Sequence, residues 1–349
     1  MQAGSITLPR FFTPALLVGA TLILAFLPFY AGRAMMQDMF FILTMLALAQ
    51  YWNLLAGYAG LVSVGQQAFV GIGAYMMFAG AVFLDLNPVL ALFFAAVIGV
   101  LLAIPSAFIV FRLRGAYFAI GTWVLAEVFR LVFAQFKSMG GGTGTSLSKS
   151  IVNDTVGISL ARSLFDFKKS FARDAVFYWL ALILALATIL IIWYWLRTRR
   201  GLALTAIRDS EEAASSVGVN AQLIKFQAYL VAAFGTALTG ALIYLQKGRL
   251  SPDAAFSVQD WTAYVIFIVV IGGIGTIEGP IIGVLIFFLL QNFLADYGPI
   301  YLFVLGGLAV VMMLFAPKGL WGLVQARTGL SLFSFRRHFS VAAEKKGGA

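Results

Sequence analysis

The sequence predicts an all-α polytopic transmembrane helical bundle of about ten spans, with Gly-rich helix breaks and both termini cytoplasmic. Three observations carry this. Of 349 residues, 62% are hydrophobic and 11% are charged, against about 25% charged in an average soluble protein; a globular chain of this size could not cover its surface with so few polar groups. The apolar residues gather in runs near the ~20 residues that a bilayer crossing needs. The joints between runs are short, and several are rich in the chain's 35 glycines.

The runs are 11–30, 38–57, 66–84, 88–111, 115–136, 175–196, 222–245, 260–275, 279–295 and 299–316. The first has only Arg10 ahead of it and no A-x-A-like cleavage site after it, so it reads as a retained span, not a removed signal. Residues 1–316 then form one membrane domain, with a long external loop at 137–174 and a polar cytoplasmic loop at 197–221. Residues 317–349 form a basic cytoplasmic tail. The Lys/Arg distribution sets the orientation: with the N-terminus inside, Arg10, Arg112, Arg114, Arg197, Arg199, Arg200, Arg208, Lys318, Arg327, Arg336, Arg337, Lys345 and Lys346 are cytoplasmic. Arg33, Lys247 and Arg249 are external, as is the 137–174 loop, which carries six Lys/Arg and three Asp.

Three joints are unusual. The stretch 57–67 (Gly57, Gly60, Ser63, Gly65, Gln66 and Gln67 within it) is glycine-rich and polar but uncharged. It reads either as backbone buried at membrane depth beside a solute pathway or as a plain loop; non-helical backbone at that depth must be satisfied by protein or by a wet cavity. A second interruption is Gly248–Asp260. The third is 272–283, with Gly272, Gly273, Gly275, Gly279, Pro280 and Gly283. Such interruptions point to transport pathways, although Gly275, Gly279 and Gly283, four apart, equally suit close helix packing, which is our reading for the third.

The stretch 197–221 is the strongly polar internal one. Asp209 is placed to cap a short helix, Glu212 to complete a capping box, and Gly218 to end it. Ala213, Ala214 and Val217 would form its narrow apolar face. An ordinary basic loop is the plainer alternative. Within the spans, Glu127 and Arg130 share a helical face and can pair. Neutralising each other in the apolar slab suffices to explain them; a gating or coupling role is the alternative.

Little chemistry remains. There is no Cys, and the single His, His338, sits in the tail, so thiolate, disulfide and His-ligated metal sites are excluded. No phosphate-binding or dinucleotide loop occurs; the run Gly140–Ser146 lacks the required Lys-Ser/Thr. No metal site and no catalytic residue is expected, and the net charge of +10 reads as cytoplasmic Lys/Arg, not nucleic-acid binding. A lipid-acting enzyme would need a carboxylate or His cluster that is absent. A proton-driven carrier would need titrating groups in its spans, and one Glu beside an Arg is a poor candidate. Uphill transport would then draw its energy from another subunit.

The ordered motifs resemble one family. The run Asn53 to Tyr75 (Asn53, Gly57, Gly60, Ser63, Gly65, Gln66, Gln67, Phe69) resembles the signature of LivM-type permeases, membrane subunits of ABC importers for branched-chain amino acids. The likeness continues at Tyr117-Phe118-Ala119, Glu127-Val128-Phe129-Arg130, Gly141–Gly144, Arg208–Ala214 with Gly218, Leu250–Ala254, Gly272–Gly283 and Ala316–Leu320, in the expected order over about 50–320. The resemblance implies half of a translocation pore, paired with a LivH-type permease. It further implies two ABC ATPase subunits that bind the ATP (no cofactor belongs to this chain), a periplasmic or surface solute-binding protein, surrounding membrane lipid, and a bacterial inner-membrane location. It assigns Arg208, Glu211, Glu212, Ala213 and Gly218 to the loop that couples to an ATPase. Asn53, Ser63, Gln66, Gln67 and Phe69 become the expected pathway residues. Two departures stand out: Gln66 occupies a place where the family often has His, and Gly121-Thr122-Trp123 replaces a run of small residues. The same permease class for urea, short amides or aromatic-derived solutes is the alternative; a stand-alone ion-coupled carrier is a remoter one.

Overall fold

The computed structural model describes residues 12–153, 157–294, 297–298, 300–329 and 333. Arg10, Arg336, Arg337, His338, Lys345 and Lys346 lie outside them. The elements are α1 (Phe12–Ala25), α2 (Arg33–Asn53), α3 (Gln66–Phe83), α4 (Pro88–Val110), α5 (Ala116–Ala134), β1 (Thr145–Ser146), α6 (Lys149–Asn153), α7 (Ile158–Phe165), α8 (Lys169–Leu196), α9 (Arg199–Asp209), α10 (Glu211–Ser216), α11 (Ala221–Lys247), β2 (Arg249–Leu250), α12 (Pro252–Ala255), α13 (Tyr264–Gly272), α14 (Glu278–Leu294), α15 (Ile300–Phe315) and α16 (Gly319–Thr328). Single π-helical turns extend α2 over Leu54–Tyr58 and precede α13 over Gln259–Ala263.

This is an all-α polytopic membrane protein. Among the described residues, eight helical runs are long and apolar enough to cross a bilayer, and two shorter apolar ones, Val18–Phe29 and Glu278–Leu294, accompany them. The ten apolar runs of the sequence each find a helix, but α8 begins at Lys169, earlier than the apolar run suggests, and α15 and α16 together make one long run.

Local chemistry explains the ends. Asn87 caps α4, its side chain accepting from Val89 N at 3.0 Å, with Pro88 in the first position, where its missing N–H costs nothing. Asn220 caps α11 in the same way through Leu223 N at 3.0 Å, and Gly248, at φ 66°, closes it. Between the two, α11 packs against α3, α4, α2 and α8. Apolar tails drive no helix association in lipid, so close approach of small residues does that work: a side-chain carbon on Gly73 or Gly99 would strike Ala237, and one on Gly240 would strike Val70. Burial follows from this layout. Of the most apolar window of α2, 89% is inside the protein; for α5 the share is 22%, so α5 lies at the periphery.

The helix ends sort onto two sides. One side gathers the end of α2, the α9–α10 segment, the α13–α14 joint and the start of α16, which packs on α13 and α14, with Gly319 and Trp321 against Gly272 and Gly273. Thus the segment after Pro317 begins as a docked helix. The opposite side gathers Arg33, which pairs with the buried Asp174 at 2.7 Å, and the β1–β2 ladder, Thr145 opposite Leu250. The 137–174 segment is built up from short elements and is tied to the end of α11 by that ladder.

The polar segment differs in detail from its sequence reading. Ser210, not Asp209, caps α10: its Oγ accepts from Ala213 N at 3.2 Å, from extended backbone (φ −161°, ψ 110°). Asp209 is still the last residue of α9, and its carboxylate holds Arg208. Of the expected apolar face only Ala214 is buried; Ala213 is exposed and Val217 is 78% exposed. Gly218, at φ +86°, does stop the helix.

Candidate functional site: a junction of helix breaks

The chain leaves the helix after Tyr58 and turns back beside α2. Trp52 Nε1 donates to Ser63 O at 2.8 Å and Gln66 Nε2 to Leu48 O at 2.8 Å. Since α3 starts level with Leu48, ten residues above Tyr58, the break climbs roughly 15 Å into the slab. Several of its backbone groups are bonded within the protein, as membrane depth requires. Leu61 N bonds Leu55 O at 2.9 Å, Val64 N bonds Thr122 Oγ1 at 3.0 Å, and Gly65 N bonds Ser63 Oγ at 3.2 Å. Thr122 belongs to α5, and Gly65 lies so near its backbone that no side chain would fit.

The second break meets the first. Asn53 is fully buried; its Nδ2 donates to Thr276 O at 2.7 Å and its Oδ1 accepts from Gly275 N at 2.8 Å. Gln50, one turn earlier, donates to Ile277 O at 2.7 Å. Gly275, at φ +76°, presses on Gly57 closely enough to exclude a Cβ there. Gly283 packs α14 against Ile268 and Gly272 of α13 and Gly279 packs it against the cap Gly273, with Pro280 in the first turn of α14, where proline is tolerated. Gly275 therefore belongs to the joint itself, and only Gly279 and Gly283 of the four-apart series pack helix on helix. Gln67, at the head of α3, is bonded to Thr262 in the second π turn, its Oε1 accepting from the hydroxyl.

Arg208 joins the polar surface segment to this junction. Its Nη1 donates to Gly57 O at 3.0 Å, while Nε and Nη2 hold Asp209 Oδ1 at 3.1 and 3.0 Å. Gly60, at φ +69°, packs against the Arg208 stem. Glu211 pairs with Lys225 of α11 at 2.7 Å, and Glu212 and Ala213 remain exposed.

Of the expected pathway residues, Ser63, Gln66 and Phe69 line one cavity of about 20 Å³, with Trp52, Leu55 and Tyr229; that is room for about one water molecule. Gln66 Oε1 is buried there and takes no hydrogen bond from any described residue, and Phe69 meets Tyr229 edge-on at 5.6 Å. Asn53 and Gln67 do not line it; both polar atoms of the Asn53 side chain and the Gln67 Oε1 are spent on the breaks. The sequence reading missed Thr122 and Thr262 as hydroxyl partners of the first break. Threonine inside an apolar run gives no distinguishing signal, and each partner is remote in sequence. It also missed Asp253, to which Arg130 Nη1 donates at 2.7 Å while the same guanidinium grips Glu127 at 2.6–3.0 Å.

An interior break built of neutral amides and glycines, tied to a polar surface segment, is a device for moving solute and offers no nucleophile or acid–base pair. Comparison agrees: the model of the family described as branched-chain amino acid transport system / permease component matches residues 35–317. The chain belongs to this family. It is a multi-pass membrane subunit of a transport system, not an enzyme. Among the permease's relatives is the high-affinity branched-chain amino acid transport system permease protein LivM of Escherichia coli K12, 29% identical over 343 residues, 90% of this chain and 79% of that one. LivM of Salmonella typhimurium LT2 is 29% identical over 334 residues, covering 91% and 76%. A probable LivM of Methanocaldococcus jannaschii is 24% identical over 234 residues, covering 67% and 60%. No solved structure matches the permease.

Proposed function

We propose that the permease forms half of the translocation pore of an ATP-driven importer for branched-chain or related hydrophobic amino acids. Its partners are a LivH-type permease, two ABC ATPases docking on the α9–α10 side, and a solute-binding protein on the opposite side. The setting is a bacterial inner membrane with the α9–α10 side and both termini cytoplasmic. The observation that carries this reading is the bond from Arg208 to Gly57 O. A short surface helix exposing Glu212 and Ala213 is suited to an external partner, and Arg208, in the last turn of α9 just before it, bonds the break between α2 and α3. Motion imposed on α10 by an ATPase would pull on the break that walls the Ser63–Gln66–Phe69 cavity. That cavity presents only neutral polar groups, and specificity then rests with the binding protein.

The same neutral lining suits urea or a short amide, so the substrate test must include them. In vesicles holding the assembled complex, ATP-dependent uptake of leucine or valine above that of urea and acetamide is expected. Uptake by this chain alone, driven by an ion gradient without ATP, would refute the assignment.

A further inference from the structure

The charged cluster on α5 is not explained by mutual neutralisation. Glu127 lies two helical turns before the end of α5 at Ala134, roughly 10 Å inside a helix whose length matches the slab. Its side chain is nevertheless 45% exposed, that of Arg130 27%, and that of Asp253 81%. Trp123, Val124 and Leu131 share the face of Glu127 by helical spacing, and all three are about half exposed. Charges in lipid-facing positions at such depth are costly and rare; they face a protein interior or water. Two carboxylates also share one guanidinium, so the cluster lacks one cation.

We infer that this face of α5 borders the water-filled solute path, and that Glu127, Arg130 and Asp253 form a contact site for a zwitterionic solute with an apolar side chain. The solute ammonium takes Asp253, which frees Arg130 Nη1 for the solute carboxylate, while Nε and Nη2 keep Glu127. Each charge-assisted bond given up is replaced by another. The apolar part of the solute lies along Trp123, Val124 and Leu131. This inference rests on the amino-acid reading above and adds a place where the zwitterion, not only the side chain, is recognised. The site is on the side opposite α9–α10, where solute would enter.

The chain has no cysteine, so a single introduced thiol is the only one in this subunit, and labelling is read on this subunit's band alone. In the assembled complex, Val124→Cys and Leu131→Cys are expected to react with a charged, water-soluble thiol reagent, and leucine is expected to slow that reaction. The matching 2-oxo acid, which lacks the ammonium, and acetamide should not. Adding Asp253→Asn, a change at an exposed side chain that folding tolerates, should raise the leucine concentration for half-protection about tenfold. Thiols that react only with a lipid-dissolved reagent would put the face in lipid and overturn the inference. Equal protection by leucine and its 2-oxo acid, or no effect of Asp253→Asn, would also overturn it. ATP-driven leucine uptake by the unsubstituted complex separates the two claims: uptake without protection refutes this site alone, whereas absent uptake refutes the amino-acid reading and the zwitterion assignment with it.

Discussion

Removing the Arg208 side chain should uncouple the transporter without dismantling it. In Arg208→Ala, Gly57 O loses a charged donor at 3.0 Å. A hydrogen bond to a charged group contributes about 1.5–3 kcal/mol. The Arg208 side chain is 39% exposed, so screening by solvent places the loss at the lower end, about 1.5 kcal/mol. That corresponds to about a tenfold change in any equilibrium that depends on the bond. If the bond transmits motion from α10 to the 57–65 break, ATP hydrolysis by the assembled complex persists while solute moved per ATP falls by about that factor. Arg208→Lys keeps the charge but cannot hold both Gly57 and Asp209, and should fall between. Asp209→Asn weakens the brace and leaves the Gly57 bond, so its effect should be smaller than either. The assay is uptake and phosphate release measured together in vesicles of equal complex content. Unchanged solute per ATP in Arg208→Ala would refute the transmission argument, since no other described side chain bonds α9 to that carbonyl.

Three further outcomes follow from the same geometry. Asn53→Ala removes two buried hydrogen bonds and leaves Gly275 N and Thr276 O unpaired, a loss of about 2–4 kcal/mol; thermal unfolding in detergent should fall markedly, and an unshifted Tm would show that the clamp contributes nothing. Ser210→Ala deletes the α10 cap, about 1 kcal/mol, so retention of the ATPase subunits on co-purification should weaken about fivefold, whereas Asp209→Ala should leave the cap intact. Gly272→Ala sets a methyl against the backbone of Gly279 and Gly283. Such overpacking costs about 1–3 kcal/mol, visible as a lowered Tm, and a well-tolerated substitution would contradict the close approach of α13 and α14.

The spans were legible because bilayer thickness imposes a length on every apolar run, and the place of the breaks because glycine and uncharged polar residues gather there, although the sequence left 57–67 open between buried backbone and a plain loop. What eluded the sequence is directional. Asp209 and Ser210 are both good capping residues, and only the backbone decides between them: Ser210 is extended and Asp209 is helical. The resemblance places Arg208 in a coupling loop, but nothing in the sequence says that its side chain turns inward to Gly57 O. Asn53 carries a pathway-like amide, yet its partners at 275 and 276 lie more than 200 residues away, as the separation of 223 from Thr276 makes plain, and spent amides look the same in sequence as available ones.

That distinction bears on how a nearly uncharged chain can be driven. Gln66 and Asn53 belong to the same motif, but one has a buried acceptor left over beside a cavity and the other has none. Buried polar atoms fully paired by backbone make a break rigid; an unpaired one at its edge is where solvent or solute can enter when the break opens. Asn53 and Gln50 tie this region to the α13–α14 joint and Gln67 ties it to the second π turn, while Trp52, Gln66 and Thr122 hold 63–66 to α2 and α5; Arg208 is the one charged group in the set, at the surface. The fixed part and the movable part are thus separated by chemistry, neutral amides inside and a guanidinium outside. On the proposed reading, a partner acting on α10 would reach the break through one charge-assisted bond, that of Arg208 to Gly57 O, and not through the packed core.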